Sequence, residues 1–381
     1  MPPLRVSLVD PSAFTPPYDR SLAAALARAG VDVELLTSRF VYGPVADPAG
    51  YRVEELFYRR SGRAAGRRRL ALKALEHLPG MLAARRRLAA AEIEHWQWTT
   101  LPAVDRLLLG PDPGHPRLIT LHYPLPKPGE HRRLAAQRRY LDRFDAVVAH
   151  TEGAAVRLRD EVGIDPGKVE VIPHGPLDYL TDLPAEEPLP PELTDAEGPV
   201  ILFFGLLRPY KGIDTLLEAF ASVEGAELWI AGMPRMPLDD LERLAARAPG
   251  RVRFLPRFVS DPEIPALLRR ADVLALPYRE IEQSGVLYAG LAFGKPMVLG
   301  DVGGFAELGR RTGAARLVPP GEPEPLAAAL NELVTDPAAR ERLAAAARAA
   351  VAGDAGWDAI AERTLALYER LRADRGARGS R

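Results

Sequence analysis

Cysteine is absent from this chain of 381 residues, and several kinds of chemistry are excluded with it. Without thiols there can be no disulfide, no thiolate nucleophile and no cysteine-ligated metal. An excess of one sign of charge is missing too, since 50 Lys and Arg stand against 51 Asp and Glu, a formal net charge of −1. Such a balance does not indicate nucleic acid as a partner.

Long apolar runs are also missing. The charge-free stretch "SGVLYAGLAFG" is followed at once by Lys295 and Pro296, and it is too short to span a bilayer. The opening residues "MPPLRVSLVD" predict a short strand and lack the charged-then-apolar pattern of a signal peptide. We therefore expect a cytoplasmic protein.

The chain alternates short apolar runs with Ala/Leu/Arg-rich stretches of helical spacing. The apolar runs predict buried parallel strands. They are "LRVSLV", "VDVELLT", "IEHWQW", "RLITLH", "DAVVAH" and "VEVIPH", then "PVILFFG", "AELWIAG", "RVRFLP", "DVLALPY" and "PMVLG". Two such series predict an α/β protein with two doubly wound, Rossmann-like domains that face each other across a cleft.

A segment rich in proline and acid, residues 181–198, separates the two series and is typical of a linker. We expect an N-terminal domain at 1–180 and a C-terminal domain at 199–354. A last helix at 355–373 is expected to pack back across both domains. The final stretch "RADRGARGSR" predicts a loose tail.

The stretch "FFGLLRPYKGIDTLLEAF" joins a strand to a helix and carries two cations at the join. In open α/β sheets, ligands bind beyond the carboxyl ends of strands, often with an anion at a helix N-terminus. Gly205 allows backbone to come close to a ligand, and Arg208 and Lys211 stand where an anion would bind. A solvated basic turn is the alternative that this stretch alone leaves open.

A second turn of the same predicted sheet strengthens the anion hypothesis. Ser284 and Gly285 begin a predicted helix, whose first N–H groups have no partner within the helix. A helix with glycines for close packing is the alternative. Two turns that could each bind an anion, and that follow strands of the same sheet, indicate a diphosphate ligand.

Five motifs in order are similar to those of GT-B glycosyltransferases of the family 4 type: "VEVIPHGPLD", "FFGLLRPYKGID", "ADVLALPY", "QSGVLYAGLAFGKPMV" and "DVGGFAE". The resemblance covers nearly the whole chain. It implies transfer of a sugar, with retention of anomeric configuration, from a UDP- or GDP-type nucleotide sugar. The implied acceptor is a glycan, a lipid-linked sugar or a small molecule, and no cofactor is required.

The resemblance also implies roles for single residues. Arg208 and Lys211 would hold the donor diphosphate and stabilise its charge as the glycosidic bond breaks. Ser284, Gly285 and Val286 would supply backbone donors to the phosphates. Phe258 and Val259 would contact the nucleotide base. His122, in "TLHYPLP", matches a family histidine near the transferred sugar. A hydrogen-bonded histidine at a strand end is the alternative for His122.

The glutamates of the family pattern are displaced here. Counting back from "GKP", the glutamate that binds ribose falls on Ala289, so ribose must be held by another group. The first glutamate falls on Ile281, between Glu280 and Glu282. We favour Glu282 at the donor sugar, with a solvated loop acid as the alternative.

The acceptor side departs from the pattern as well. The loop "DPSAFTPPYDRS" lacks the glycine pair usual in the family, which leaves Tyr18 and Asp19 as candidates to face the acceptor. His174, in "IPHG", is expected to shape the interdomain hinge.

Several motifs of other enzymes are missing: Asp-x-Asp, a P-loop, G-x-G-x-x-G and H-E-x-x-H. The seven histidines do not show metal-ligand spacing either. A metal-independent reaction follows. The remaining alternatives are an epimerase of the same architecture, a non-catalytic nucleotide-sugar binder and, weakest, a dinucleotide oxidoreductase.

One segment is strongly basic. Between Arg59 and Arg87 ten Lys and Arg accompany one acid, Glu76, with Leu and Ala at helical spacing. This pattern predicts either a helix that touches anionic membrane, where a lipid-linked acceptor would be found, or a solvated basic face. RNA binding is less favoured because no aromatic residue interrupts the arginine clusters.

Overall fold

The computed structural model of this chain describes residues 2–41, 45, 47–61, 66–122, 125–126 and 129–379. The chain divides into two compact units. The first joins Met1–Gly175 to Trp357–Arg381, and the second is Pro176–Gly356. Residues 181–198, whose composition predicts a linker, therefore belong to the second unit.

The first unit contains one parallel sheet with helices on both faces. In chain order the strands are β1 (Arg5–Asp10), β2 (Asp32–Ser38), β3 (Arg52–Phe57), β4 (Ile93–Trp96), β5 (Arg117–Thr120), β6 (Ala146–Ala149) and β7 (Val169–Val171). The sheet order is β3-β2-β1-β4-β5-β6-β7. The helices are α1 (Pro16–Arg28), α2 (Gly66–Leu88), α3 (Pro102–Leu108), α4 (His131–Leu141), α5 (Glu152–Arg157) and, after the second unit, α13 (Trp357–Gly379).

Alternate residues of these strands enter two apolar cores on opposite faces of the sheet. In β1, Val6 and Leu8 belong to the core that contains residues of α1 and α13. Val9 belongs to the other core, with residues of α2, α4 and α5. Burial on both faces explains why the central strands appear in the sequence as nearly continuous apolar runs.

Two features of the first unit correct the sequence-based prediction. β3 was missed because half of its residues are polar, as its position at the edge of the sheet permits. The predicted loose tail is also wrong, since α13 continues to Gly379. Its last turns are held by ion pairs, in which Arg372 binds Glu92 and Arg375 binds Asp145.

The second unit repeats the architecture. Its strands are β8 (Val200–Phe204), β9 (Glu227–Ala231), β10 (Val252–Leu255), β11 (Val273–Leu276), β12 (Met297–Gly300) and β13 (Ala315–Val318), in the sheet order β10-β9-β8-β11-β12-β13. Its helices are α6 (Ile213–Phe220), α7 (Asp239–Ala245), α8 (Ile264–Arg270), α9 (Gly285–Ala292), α10 (Gly303–Thr312), α11 (Pro323–Thr335) and α12 (Pro337–Ala352). The edge strand β13, with the sequence "ARLV", was also missed from the sequence. A bilayer-spanning helix is not found among the described residues.

In each sheet the strand order reverses direction at one point. This point lies between β1 and β4 in the first unit, and between β8 and β11 in the second. Connections leave such a pair of strands toward opposite faces, which opens a crevice at their carboxyl ends. The doubly wound order of both sheets confirms the predicted fold class.

Candidate functional site

The turn after β8 places a lysine at the end of the strand. Gly205 follows the strand with a φ of +114°, which residues with a Cβ rarely adopt. A Cβ on Gly205 would lie 3.0 Å from Val286 Cγ2 and 3.1 Å from Lys211 Nζ. The glycine therefore lets both Lys211 and the start of α9 approach the end of β8.

Lys211 is a buried cation with a neutral partner. The residue is 6% exposed, and its Nζ donates a hydrogen bond to the Tyr278 hydroxyl at 2.9 Å. Burial, and in second place the charge of Arg208, lowers the pKa of Lys211 to about 8. No Asp or Glu in the described part of the chain forms an ion pair with it. A buried charge without a counter-charge is costly, so the position favours an incoming anion.

Arg208, the second predicted cation, lies at the surface. It precedes the 3₁₀ turn Pro209–Lys211 with an extended backbone, and its side chain is exposed. The effect of its charge on the pKa of Lys211 shows that the two cations are electrostatic neighbours. The turn thus concentrates positive charge at the carboxyl end of β8.

Helix α9 begins beside this turn, after β11. Ser284 has an extended backbone, and Gly285 and Val286 are the first helical residues. The Ser284 side chain does not cap its own helix, and its interaction with the Tyr278 hydroxyl partly offsets the rise in the pKa of Tyr278 that burial causes. The first N–H groups of α9 have no acceptor within the helix, and its dipole favours negative charge there.

A cavity of about 430 Å³ lies at these two turns, within the second unit. Most residues singled out from the sequence for the donor line it, namely Gly205, Lys211, Phe258, Val259, Ser284, Gly285, Val286 and Ala289. Phe258 is 57% exposed, whereas Val259 is 7% exposed. The cavity sits at the reversal point of the strand order, where the fold predicts a ligand.

Two predicted residues do not line this cavity. Arg208 stands outside it, and so does Glu282, although its neighbours Ile281 and Gln283 are part of the wall. Ala289 is 2% exposed and offers the cavity only a methyl group. The carboxylate that the family pattern has at this position is therefore missing from the wall.

One acidic residue in the wall of the cavity was not predicted from the sequence. Asp261 is the one carboxylate among the described residues that line the cavity, and its Oδ2 accepts a hydrogen bond from the Tyr179 hydroxyl at 2.9 Å. The turn that carries it is fixed by a capping box, in which Ser260 and Glu263 satisfy each other's backbone N–H groups. The "SDPE" spacing of that box was the available signal.

In the first unit, histidines that follow three strands surround one tyrosine. The ring centroids of His122 and His174 lie 4.6 and 4.8 Å from that of Tyr18. His122 hydrogen-bonds with Gln97 Oε1 at 2.9 Å and with His150 at 3.2 Å. These residues are distant in sequence and are gathered only by the sheet, so their spacing did not reveal the cluster.

Burial keeps this cluster uncharged. It lowers the pKa of His150 to about 4 and that of His174 to about 3, and it is the largest cause of the strongly lowered pKa of His122. A neutral imidazole offers one donor and one acceptor, which suits it to orient a hydroxyl. No group of three side chains able to hold a metal occurs among the described residues.

Tyr18 and Asp19, the acceptor-side candidates, are both buried, at 3% and 1% exposure. Burial first, and then the charge of Asp10, raises the pKa of Asp19 well above its usual range. Asp10 accepts hydrogen bonds from the N–H groups of Phe14 and Thr15. The two carboxyls thus shape the turn after β1.

Two family models match the chain. Residues 19–176 match the model described as Glycosyltransferase Family 4, and residues 198–336 match the model described as Glycosyl transferases group 1. A D-inositol 3-phosphate glycosyltransferase of Kineococcus radiotolerans is 31% identical over 271 residues, which cover 64% of this chain and 61% of that protein. The chain thus spans about six tenths of the length of the curated relatives it matches.

Solved structures share the fold over nearly all of the chain. Sucrose-phosphate synthase from Thermosynechococcus elongatus is similar with a TM-score of 0.70 and 21% identity, over 97% of this chain and 100% of that one. Anabaena HepE in complex with UDP is similar with a TM-score of 0.69 and 19% identity, over 96% and 100%. This likeness shows the GT-B fold.

Proposed function

Because this chain belongs to family 4 of the GT-B glycosyltransferases, we propose that it transfers a sugar from a nucleotide-diphospho-sugar to an acceptor hydroxyl, with retention of anomeric configuration. In this proposal the cavity of the second unit binds the donor. The acceptor, a glycan, a lipid-linked sugar or a small molecule, is bound by the first unit. In this proposal the protein acts in the cytoplasm.

This proposal rests mainly on the buried ammonium group of Lys211. When the glycosidic bond breaks, its electron pair stays on the β-phosphate oxygen, and negative charge develops there. Lys211 and the first N–H groups of α9 line the cavity and would stabilise it, and Arg208 would add positive charge from outside the cavity wall. Loss of one such preorganised donor typically costs about 10²–10³ in rate.

In metal-dependent transferases a divalent cation stabilises the negative charge of the leaving group. In this proposal the protein groups take that role. We therefore propose a metal-independent reaction with no cofactor. UDP or GDP is the proposed leaving nucleotide, with Phe258 and Val259 against its base. His122 and Glu282 keep their predicted roles near the transferred sugar as part of the proposal.

Ribose recognition is assigned to Asp261 in place of the missing glutamate. Its carboxylate lines the cavity together with Val259, which places it near the proposed base contact. The hydrogen bond from Tyr179 fixes one carboxylate oxygen, and a carboxylate retains further lone pairs for ribose hydroxyls.

Contact with an anionic membrane is proposed through α2 and α3, which pack against each other. On α2, Leu75, Leu78 and Leu82 are 74%, 51% and 43% exposed, at the spacing of one helix face. Part of the basic segment, residues 62–65, lies outside the described residues.

Helix α3 also carries exposed apolar residues. Leu101, Val104 and Leu107, at or within it, are 46%, 45% and 68% exposed. Arg85 and Arg86 are exposed and lie in the last turn of α2. Leucines flanked by arginines suit the boundary between lipid headgroups and acyl chains. A lipid-linked acceptor would be found there.

The test of the proposed function is release of nucleoside diphosphate from UDP- and GDP-sugars, with and without added acceptors, in excess EDTA. Acceptor-dependent release that persists in EDTA is the expected result. Complete loss with chelator, restored by Mg²⁺ or Mn²⁺, would contradict the metal-independent mechanism. Release of free nucleotide without any acceptor would favour the epimerase alternative.

A further inference from the structure

Residues 277–279, which follow β11, contact the 3₁₀ turn that follows the neighbouring strand β8. Gly212, at the end of this turn, has a φ of +66°, and a Cβ on it would lie 2.2 Å from the Pro277 carbonyl oxygen. The Arg279 N–H donates a hydrogen bond to the carbonyl oxygen of Tyr210, inside the turn, at 2.8 Å. The end of β11 therefore packs directly on the turn after β8.

The Arg279 side chain adds three hydrogen bonds to the same region. Its Nη1 donates to the carbonyl oxygen of Pro209, in the 3₁₀ turn, at 3.2 Å. Its Nη2 donates to Asp214 Oδ2 at 2.7 Å and to Thr215 Oγ1 at 2.8 Å, both at the beginning of α6. A guanidinium group carries five donors in one rigid plane, so this single side chain joins the turn to the helix that follows it.

The turn needs such support because of the charge that it carries. Lys211 is buried without an ion-pair partner among the described residues, and the positive charge of Arg208 acts on it. Within the turn, the Lys211 N–H donates to the carbonyl oxygen of Arg208 at 3.0 Å, and hydrogen bonds of a 3₁₀ turn have poor geometry. Desolvation and charge repulsion both favour movement of the lysine toward water, and the contacts of Arg279 oppose it.

Arg279 is not itself placed to bind a ligand in the cavity. It is not part of the cavity wall, although Tyr278 before it and Ile281 after it are. Its side chain is 38% exposed, and its charge is paired with that of Asp214 at 2.7 Å. Its route to a ligand is therefore the turn that it contacts.

We propose that Arg279 is a positioning residue for diphosphate binding, which holds the 3₁₀ turn so that Lys211 Nζ stays at the carboxyl end of β8. The proposal rests on the proposed function, because it assumes that Lys211 binds the phosphates of the donor. It adds a residue outside the cavity to the groups on which that binding depends. Asp214 and Thr215 orient the guanidinium group in turn.

The test compares a nucleoside with its diphosphate. Uridine, UDP, guanosine and GDP are titrated into the full wild-type chain and into Arg279→Ala, and the series that binds better is followed. Arg279→Ala should weaken diphosphate binding about five- to tenfold, because the lysine is no longer held in place. Nucleoside affinity should stay unchanged, since the proposed base contacts Phe258 and Val259 follow a different strand, β10. A general loss of folded protein would lower both affinities alike.

Further variants show how Arg279 acts. Arg279→Lys keeps the positive charge but not the planar fork, so its diphosphate affinity should lie between those of wild type and Arg279→Ala. It is also the test variant if Arg279→Ala does not fold. In the Lys211→Ala background, Arg279→Ala should have little further effect, because its influence passes through the lysine. Guanidinium chloride, well below denaturing concentration, should restore part of the affinity that Arg279→Ala loses, whereas NaCl at the same concentration should not.

The matched control is Arg270→Ala. Arg270 ends α8 in the same unit, and its Nη2 donates to the carbonyl oxygens of Ala196 and Gly198 at 3.0 and 2.8 Å. Its Nη1 donates to Asp272 Oδ2 at 3.3 Å. These contacts resemble those of Arg279, but they lie at the amino ends of β8 and β11, away from the cavity. Arg270→Ala should therefore keep the wild-type preference for the diphosphate.

The inference is overturned if Arg279→Ala, or Arg279→Lys where only that variant folds, binds the diphosphate as tightly as wild type. It is also overturned if nucleoside and diphosphate are weakened alike, if Arg270→Ala has the same effect, or if the loss is as large in the Lys211→Ala background. In each of these cases a wild-type preference for the diphosphate still supports the proposed function. If wild type shows no such preference, the proposed function itself fails, and this inference fails with it.

Discussion

The Nζ atom of Lys211 lies 2.9 Å from the Tyr278 hydroxyl and 4.7 Å from the centroid of the same ring. The ammonium therefore rests on a neutral, buried phenol and has no ion-pair partner among the described residues. Tyr278 is itself 0% exposed, and the Ser284 side chain at the start of α9 interacts with it and partly offsets the rise in its pKa that burial causes. One tyrosine thus joins the two turns at which an anion is expected.

Replacement of Lys211 by alanine should lower turnover by about 10²-fold or more, because a preorganised charge at the leaving group is removed. Arg208→Ala should act in the same direction. Steady-state kinetics with the best donor provide the measurement.

Lys295→Ala is the matched control for this loss. Lys295 is a partly buried lysine of the same unit whose Nζ donates to the carbonyl oxygens of Arg269 and Ala271, away from the cavity. Its loss removes a lysine with comparable contacts to the protein. If Lys295→Ala reduced turnover as strongly as Lys211→Ala, the effect would report stability alone.

Affinity for UDP should fall as pH rises through about 8. In the free protein the pKa of Lys211 is lowered from 10.5 to about 8, and the diphosphate binds the charged form. Each pH unit above this value should weaken binding by up to about tenfold. The free protein should gain stability over the same range, because the unfolded chain then binds more protons than the folded one.

Calorimetric titration of UDP between about pH 7 and 9.5 measures this effect. Lys211→Arg keeps its charge throughout the range, so its affinity should be independent of pH. A wild-type affinity that is equally flat would show that Lys211 does not bind the phosphates.

Asp261→Asn should reduce discrimination between UDP and 2′-deoxy-UDP. A hydrogen bond to a charged group contributes about 1.5–3 kcal/mol, so wild type should prefer the ribonucleotide by about tenfold or more. Asp239→Asn, an exposed acid on α7, is the control and should keep that preference. If Gln283→Ala abolished the preference and Asp261→Asn did not, ribose recognition would belong to Gln283 instead.

The full chain should bind phosphatidylglycerol vesicles at low salt and be released at high salt. Each basic residue near an anionic surface contributes on the order of 1 kcal/mol before screening. Co-sedimentation of Leu75→Ser/Leu78→Ser should show weakened binding, with Val156→Ser, an exposed apolar residue of α5, as control. Absence of binding at low salt would leave α2 as a solvated basic face.

The fold was predictable from the sequence wherever strands are buried on both faces. β8, with the sequence "VILFF", appears as a continuous apolar run because helices cover both sides of its sheet. β3 lies at an edge of its sheet, and half of its residues are polar, so it gives no such run. Helix α13 was underestimated because its end is held by ion pairs such as Arg375–Asp145, which local sequence does not reveal.

The candidate site was predictable only where one chain segment forms it. Gly205 and Lys211 belong to a single turn, so their spacing placed them at a strand end. Glu282 lies in a connection without regular periodicity, and nothing in its spacing fixes which residue faces the cavity. The contact of Asp261 with Tyr179, 82 residues apart, depends on tertiary packing and could not be read from either segment.

Diphosphate binding by the second unit through Lys211 underlies the proposed function. Its most direct test is calorimetric titration of uridine, UMP and UDP, with the guanosine series in parallel, into wild type and Lys211→Ala. We expect that in one series the diphosphate binds at least about 100-fold more tightly than the nucleoside, and that Lys211→Ala loses most of this advantage. Equal affinity for uridine and UDP, and for guanosine and GDP, or an advantage that survives Lys211→Ala, would contradict it.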